Sequence, residues 1–427
     1  MQNVKGTYDY FGAEQITRQR VQRTLEKWFE RYDFDPMVTP MLNEQSLLAS
    51  KYAGGDEILK EMYQLSDQGG RSLALRYDLT IPFAKVAALN PGLTLPFKRY
   101  EIGKVFRDGP VKRGRLREFL QCDADVIGTK GAEAEVQLMQ LAADIFAELN
   151  IDIEMRWNNR RFLSELLVKV GVRDINVSSI MLTLDKAAKI GAAGVQEELA
   201  EKGLAPLVRQ TIGSWLERGD LTFEELVRTN GLEESMGANE VKALQSMITA
   251  TGLGVLCRFD PFLSRGLSFY TGTVYEIFDR TGQYTSSLGG GGRYDAIIGK
   301  LIGRDDIDYP AVGISFGMEP IMAILTDRGS IEASPPILLL PIGDTLSYAL
   351  ETAAALRQAG FRVRVDGSGR KLRKALASAA ASGIRYVLLL GENEKSTGSA
   401  TLKDLGAMTE TQKTLAEVIA SLGKDYL

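Results

Sequence analysis

The segment that decides the fold runs from Lys98 to Asp125 and reads KRYEIGKVFRDGPVKRGRLREFLQCDAD. It begins as a strand that ends at Arg107, continues through a basic loop that contains glycine and proline, and returns as a second strand. Because side chains alternate along a strand, Gln121, Asp123 and Asp125 should share one face. The segment therefore predicts a β-hairpin with arginines at its mouth and a row of hydrogen-bond acceptors on one strand.

These two groups of side chains suit ligands of opposite charge. Arginine guanidinium groups hold phosphates in a fork geometry, and a row of acceptors can hold an ammonium group. Eight basic residues between Lys98 and Arg117 accompany only two acidic ones, and eight more between Arg357 and Arg385 accompany only Asp366. Such clusters are either solvated charged faces or two places at which a polyanion is bound.

Outward from the hairpin, the hydrophobic periodicity predicts an α+β fold. A helix from about Glu14 to Tyr32 is followed by a proline-containing strand at Asp35–Leu42. Because the other predicted strands are mostly hairpin-spaced, we expect an antiparallel sheet flanked by helices. The other strands are predicted at Ser72–Arg76, Pro96–Phe106, Leu116–Ile127, Ile151–Trp157, Gly272–Asp279 and Ala311–Phe316.

Composition and pattern also predict the domains. Residues 1–326 form the larger domain, with a charged helical insertion at about 173–252. A turn-rich linker at 327–336 ends in two prolines. Residues 337–427 follow a strand–helix–strand–helix–strand order that predicts a small, mainly parallel α/β domain.

The composition excludes several chemistries. The 427 residues contain no histidine, which excludes histidine general bases, histidine-dependent nucleophiles and imidazole metal ligands. Cys122 and Cys257 are the only cysteines, too few for a disulfide scaffold or a cysteine zinc site, and they favour a reducing cytoplasm. No apolar run is long enough to cross a bilayer, so no membrane association is expected.

Four ordered motifs resemble those of histidyl-tRNA synthetases, which are class II aminoacyl-tRNA synthetases. The Lys98–Asp125 hairpin resembles motif 2 of that class, and Leu75–Thr80 resembles the strand of the histidine site. Arg265–Glu276 and Gly289–Asp295 resemble the two signature peptides of the family. The resemblance continues through residues 337–427, which are similar to the family's anticodon-binding domain.

The resemblance implies a histidine–tRNA ligase that uses ATP and Mg²⁺ to form histidyl-adenylate and transfers histidine to tRNA(His). It assigns Arg107 and Arg265 to the reacting phosphate and carboxylate, where positive charge matters more than a base. It also implies two binding sets. The histidine-binding set is Asp78, Thr80, Gln121, Asp125, Tyr270, Gly291 and Gly292, and the ATP-binding set is Arg107, Asp108, Arg115 and Phe119.

The sequence departs from the family mostly on the ATP side. Motif 3 usually ends in an arginine for the terminal phosphate, but here Pro320 follows Gly317-Met-Glu, and losing that charged hydrogen bond costs about 1.5–3 kcal/mol. In motif 2 the expected carboxylate is replaced by Gly109, with Asp108 one position early. In the first signature peptide, Ser268 and Phe269 replace an acid and a tyrosine.

Two hypotheses follow from these departures. The first is a working ligase, in which Lys112, Arg113 or Arg115 replaces the missing motif 3 cation. The second is a synthetase paralogue that binds histidine or a partner without adenylation, as the regulatory subunit of ATP phosphoribosyltransferase does. The retained C-terminal domain favours the ligase, since its basic helix carries Arg370, Lys371, Arg373 and Lys374. The resemblance also implies a homodimer through the motif 1 region, Lys27–Met41.

Overall fold

A computed structural model of the chain describes residues 1–49, 59–218, 220–266, 269–304, 306, 309–329 and 335–426. The chain divides into two compact units, residues 1–331 and residues 332–427. Within the described residues, no helix is both long enough and apolar enough to span a membrane.

The first unit is built on a large sheet, and eight of its described strands pair in the order β1-β5-β6-β11-β10-β9-β7-β8. Only the β1–β5 and β7–β8 pairs are parallel, so the prediction of an antiparallel sheet is confirmed for the other pairs. A smaller described sheet has the order β2-β4-β3. The strands are β1 Asp35–Pro36, β2 Leu42–Glu44, β3 Gln64–Ser66, β4 Ser72–Leu75, β5 Phe97–Phe106, β6 Glu118–Ile127, β7 Ile153–Asn159, β8 Cys257–Phe259, β9 Thr273–Asp279, β10 Gly289–Arg293 and β11 Ala311–Gly317.

Helices cover one face of the large sheet. Phe316 of β11 packs between Phe29 and Phe146, with ring centroids 6.0 and 5.9 Å away, and these two phenylalanines belong to the helices α1 and α4. In the middle of the opposite face, β6 carries Gln121, Asp123 and Asp125 and β11 carries Gly313 and Ser315. The described helices of this unit are α1 Gly12–Arg31, α2 Gln45–Leu48, α3 Thr80–Leu89, α4 Glu133–Glu148, α5 Arg160–Lys169, α6 Asp174–Leu184, α7 Ala187–Glu201, α8 Pro206–Glu217, α9 Phe223–Asn230, α10 Met236–Ala250, α11 Ala296–Leu301 and α12 Met318–Asp327.

The glycine-rich peptide at the start of the second signature forms β10, a strand that the sequence analysis did not predict. Glycine is depleted in strands, and Gly289–Arg293 has no alternating pattern. Close approach of the neighbouring strands explains the composition. A methyl group on Gly291 would lie 1.9 Å from the carbonyl oxygen of Gly313 in β11.

The second unit has a five-stranded sheet in its described part, in the order β13-β12-β14-β15-β16. The first three strands in that order are parallel, as predicted, whereas β15 and β16 add an antiparallel hairpin that was missed. The outer strand of this hairpin reads TETQKT and is mostly exposed, so it carries no hydrophobic alternation. The elements are β12 Ile337–Pro341, β13 Val363–Val365, β14 Tyr386–Leu390, β15 Ser399–Asp404, β16 Thr409–Thr414, α13 Leu346–Gln358, α14 Leu372–Ala381, α15 Glu392–Thr397 and α16 Leu415–Tyr426.

Candidate active site

The candidate site lies on the face of β5, β6 and β11 that α1 and α4 leave open. The strand register places Gln121 opposite Gly317, Asp123 opposite Ser315 and Asp125 opposite Gly313. Because alternate residues of β6 pack into the helix-covered core, Gln121, Asp123 and Asp125 share the open face. The row of acceptors that the sequence predicted is therefore present.

Arg107 stands at the mouth of the β5–β6 hairpin, directly after β5. Its Nε donates to the carbonyl oxygen of Tyr77 at 3.0 Å, and its guanidinium carbon lies 5.2 Å from the ring centroid of Phe119. Burial lowers the pKa of Arg107, nearby Asp78 raises it, and Arg115 lowers it further. The guanidinium thus sits in a confined place beside a second arginine, which suits a strongly charged anion.

Asp78 is buried just before α3, and Thr80 is the half-buried first residue of that helix. The Oδ1 atom of Asp78 accepts the backbone N–H of Ile81 at 3.1 Å, whereas Oδ2 has no hydrogen-bond partner among the described residues. Burial raises the pKa of Asp78 to about 6, although Arg107 and Arg99 oppose the change. A buried carboxylate oxygen without a partner is costly unless a ligand satisfies it.

Asp125 and Gln121 differ in how many of their side-chain polar atoms already have a protein partner. Asp125 forms a buried ion pair with Arg99, Nη2 to Oδ2 at 2.7 Å, and accepts the hydroxyl of Tyr294 at 2.5 Å. Gln121 donates to the Oγ of Ser315 at 3.2 Å, and its Oε1 has no partner among the described residues. Gln121 is therefore the freer of these two predicted histidine-binding residues.

Asp123 is a residue that the predicted histidine set omitted. It is 3% exposed, and its Oδ1 has no hydrogen-bond partner among the described residues. Burial, and then repulsion by Asp125, raise the pKa of Asp123 to about 8. The available signal was the alternation of β6, which places Asp123 between Gln121 and Asp125 on the same face.

Arg265 enters the site from a loop whose backbone is held by the helical insertion. Its φ of 56° lies in the left-handed region, which is unusual for a residue other than glycine. Its Nη1 donates to the carbonyl oxygen of Tyr275 at 3.0 Å, and its guanidinium carbon lies 5.8 Å from the ring centroid of Tyr270. A methyl group on Gly290 would lie 1.8 Å from that Nη1, so this position must be glycine for Arg265 to lie across β10.

Tyr270 lies beside the guanidinium group of Arg265. It is half-buried and packs against Phe269 with ring centroids 4.6 Å apart. Burial raises its pKa, Arg265 lowers it, and Asp123, Asp125 and Asp78 raise it, so the electrostatic influence of all three carboxyl groups reaches this tyrosine. Ser268, the other altered residue of the first signature peptide, lies outside the described residues.

The predicted glycines contact protein backbone closely. In addition to the approach of Gly291 to Gly313, a methyl group on Gly292 would lie 2.4 Å from the carbonyl oxygen of Thr273. Their glycine identity is thus already required by strand packing. Direct contact with histidine is not needed to explain it.

The basic loop of the hairpin is fastened by carboxylates. Arg115 pairs with Glu61 at 2.6 Å, Arg113 contacts Asp327, and the exposed Asp108 pairs with Arg117 at 3.1 Å. Gly109 is also beside Glu61, since a methyl group there would lie 2.7 Å from its Oε1.

Pro320 is the third residue of α12, where a helix tolerates proline because the first turn needs no amide donor. The preceding Glu319 is turned away to form a bidentate ion pair with Arg18 of α1, at 2.6 and 2.8 Å. The tip of the basic loop lies near Pro320, since a methyl group on Gly114 would lie 4.0 Å from its Cγ. Arg113 and Arg115 flank this tip.

Comparison with known proteins gives two family matches. A family model described as histidyl-tRNA synthetase matches residues 6–321, and one described as anticodon binding domain matches residues 337–425. Histidine--tRNA ligase 1 of Bacillus cereus (strain ATCC 10987 / NRS 248) is 45% identical over 100% of this chain and 98% of its own length. Histidine--tRNA ligase 2 of Shouchella clausii (strain KSM-K16) is 44% identical over 95% of this chain and 96% of its own.

Solved structures share the fold. The histidyl-tRNA synthetase of Nostoc sp. PCC 7120 superposes with a TM-score of 0.86 at 26% identity, covering 99% of both chains. A Bacillus halodurans protein described as an ATP phosphoribosyltransferase regulatory subunit/histidyl-tRNA synthetase gives 0.74 at 20% identity, covering 91% of this chain and 98% of that one. The second likeness concerns the fold alone.

Proposed function

The chain belongs to the histidyl-tRNA synthetase family, and from this premise we propose that the site on β5, β6, β10 and β11 activates histidine with ATP for transfer to tRNA(His). The chain is a histidine–tRNA ligase by its relatives, which match it over nearly its whole length at 44–46% identity. The single observation that carries the site assignment is the convergence of two arginines and several buried acceptors on one sheet face.

Activation needs no proton-transfer base. A carboxylate oxygen of histidine attacks the α-phosphorus of ATP, a P–O bond forms, and the bond to the bridging oxygen breaks as pyrophosphate leaves. Negative charge accumulates on the phosphoryl oxygens, and positive charge aimed at them lowers the barrier. Arg107, directly after β5, and Arg265, whose side chain lies across β10, supply that charge.

Histidine is bound by acceptors that the protein leaves open. Asp78 and Gln121 each have a side-chain oxygen without a hydrogen-bond partner among the described residues, and Thr80 begins α3. Tyr270, Asp125 and the two glycines complete the proposed histidine-binding set. An amino acid without matching donors would leave these buried groups unpaired, which penalises it heavily.

The ATP side relies on the basic loop. Phe119 offers a ring near Arg107 for the adenine, and Asp108 lies near the mouth. We assign the role of the missing motif 3 cation to Arg115, because it acts electrostatically on Arg107 and because its ion pair with Glu61 is half-exposed. Exposed ion pairs contribute only about 0–1 kcal/mol, so a phosphate can replace Glu61 at small cost.

We propose that Mg²⁺ acts as the partner of ATP. Among the described residues, no group of three or more carboxylates or thiols is placed to hold a metal ion. The ion would therefore arrive bound to the triphosphate and add positive charge at its outer phosphates.

The tRNA and the second subunit use other surfaces. Arg370, Lys371, Arg373 and Lys374 are exposed around the start of α14 and suit a nucleic-acid backbone. Val38 is 91% exposed, and Met41 and Leu42 are about half exposed, which supports a homodimer through the motif 1 region. The two cysteines are free thiols, which fits the reducing cytoplasm.

Aminoacylation of tRNA(His) tests the ligase directly. The purified chain should charge tRNA with labelled histidine only when ATP and Mg²⁺ are both present. Histidine binding without charging would instead favour the non-catalytic paralogue that Pro320 suggests.

A further inference from the structure

Asp123 has the surroundings of a ligand-binding residue. It lies in the middle of β6, between Asp125 and Gln121, and its strand neighbours are Glu101 on β5 and Ser315 on β11. Its side chain is buried, and Oδ1 has no hydrogen-bond partner among the described residues. Burying a carboxyl group costs free energy unless a hydrogen-bond donor or a cation pairs with it.

Two arginines around Asp123 form ion pairs with other carboxylates. On β5, Arg99 pairs with Asp125 at 2.7 Å, and Glu101 pairs with Arg76 at 2.7 Å. Among the described contacts, no ion pair reaches Asp123. Arg99 still attracts the Asp123 carboxyl group from its pair with Asp125, and Ser315 donates a hydrogen bond to that group, whereas Oδ1 has no hydrogen-bond partner among the described residues.

We propose that Asp123 binds the α-ammonium group of the substrate amino acid through its free Oδ1. This inference rests on the proposed histidine site and adds to it a residue that the sequence resemblance did not include. The ammonium group is chosen because an unpaired buried carboxylate needs a cation, whereas the imidazole ring is mostly neutral at pH 7. Asp78 then remains available for a second donor of the ligand.

Binding of an ammonium group to Asp123 should release a proton. Burial and repulsion by Asp125 raise the pKa of Asp123, against the opposing influence of Arg99 and of a hydrogen bond from Ser315. Binding an ammonium favours the ionised form, so a proton should leave as histidine binds, and affinity should rise as pH increases from 6 to 8. The ionisable and polar groups that face Asp123 are Arg99 and Glu101 on β5, Asp125 on β6, Ser315 on β11, Asp78 before α3, and Tyr270 and Tyr294.

Calorimetric titration of the full chain tests this assignment with two ligands, histidine and imidazolepropionic acid, which lacks the amine. In the Asp123→Asn variant, affinity for histidine should fall about 10- to 100-fold, the loss expected for one charged hydrogen bond, while affinity for imidazolepropionic acid stays unchanged. Titration in two buffers of different ionisation enthalpy should also show that the variant no longer releases the proton.

Asp279→Asn is the matched control, since Asp279 is a buried aspartate at the end of β9 with one oxygen that has no hydrogen-bond partner in the described part of the chain. It should bind both ligands as the wild type does. Asp123→Ser provides a second variant in case the asparagine side chain prevents folding.

Equal losses for both ligands, or no loss for histidine, would overturn the assignment of Asp123 alone. Failure of the wild-type chain to bind histidine would instead contradict the proposed function itself. The two failures are thus distinguishable in the same titration series.

Discussion

The Oδ1 atom of Asp185 accepts the backbone N–H of Arg265 at 2.7 Å, and it also accepts the N–H of Ser264 at 3.0 Å. Asp185 directly follows α6 of the helical insertion, so one carboxylate ties the insertion to the loop of the proposed catalytic arginine. The left-handed backbone of Arg265 needs such support, because a non-glycine residue in that region is disfavoured. The insertion thereby positions Arg265 without reaching the substrate.

Removing this tie should slow activation. We expect Asp185→Ala to lower kcat for pyrophosphate exchange about 10- to 100-fold, with little change in histidine affinity, since one acceptor for two amides is lost. Asp185→Asn retains an acceptor oxygen and should recover most of the rate. Asp174→Ala, on the exposed start of α6, is the control. An unchanged kcat in Asp185→Ala would show that the loop holds Arg265 by itself.

Gly290 should be intolerant of any side chain. In Gly290→Ala the new methyl group would overlap Nη1 of Arg265 at 1.8 Å and the carbonyl oxygen of Tyr275 at 2.6 Å. The arginine must then move, and we expect exchange activity to fall about 100-fold or more. Gly254→Ala is the control, because no atom of the described residues lies within 4 Å of its added methyl group. Steady-state exchange kinetics of the two variants would decide between displacement of Arg265 and tolerance of the methyl group.

Arg115 should support ATP binding more than histidine binding. If its guanidinium leaves Glu61 for a phosphate, Arg115→Ala should raise the KM for ATP about tenfold and leave the KM for histidine unchanged. Arg304→Ala removes an exposed arginine that pairs, among the described residues, with Asp306, and it should change neither value. If Arg113→Ala raises the KM for ATP and Arg115→Ala does not, the replacing cation is Arg113.

Breaking the buried ion pair between Arg18 and Glu319 should destabilise the fold. Both side chains are less than 10% exposed, and Arg18 also lies 3.8 Å from the ring centroid of Tyr10. Glu319→Gln leaves a buried cation without its counterion, and we expect a loss of about 3–5 kcal/mol. Calorimetric thermal unfolding of the full chain measures it. The double variant Arg18→Met with Glu319→Met should recover much of the loss, and a single variant as stable as the wild type would contradict this reading.

The sequence predicted the hairpin and its acceptor row because two local rules agree there. The alternation of β6 separates core residues such as Cys122 and Ala124 from the polar residues between them, and the basic loop marks the turn. The same alternation predicted the shared face of Gln121 and Asp125. These features depend on neighbours in the chain, so one sequence is enough to find them.

What the sequence could not predict depends on distant contacts. The tie between Asp185 and Arg265 spans 80 residues, and the pair of Arg18 and Glu319 spans 301. No local pattern indicates that β10 is a strand, because its glycines are explained only by the carbonyl groups of adjacent strands. The missing partner of Asp123 likewise becomes visible only when Arg99 is seen to pair with Asp125.

Histidine-dependent exchange between ATP and labelled pyrophosphate, in the presence of Mg²⁺, tests the central claim most directly. The proposed chemistry predicts exchange by the wild type that requires histidine and is abolished by Arg265→Ala, with Arg304→Ala as an active control. Histidine binding without any exchange would contradict adenylation at this site. Exchange that survives in Arg265→Ala would contradict the role given to that arginine.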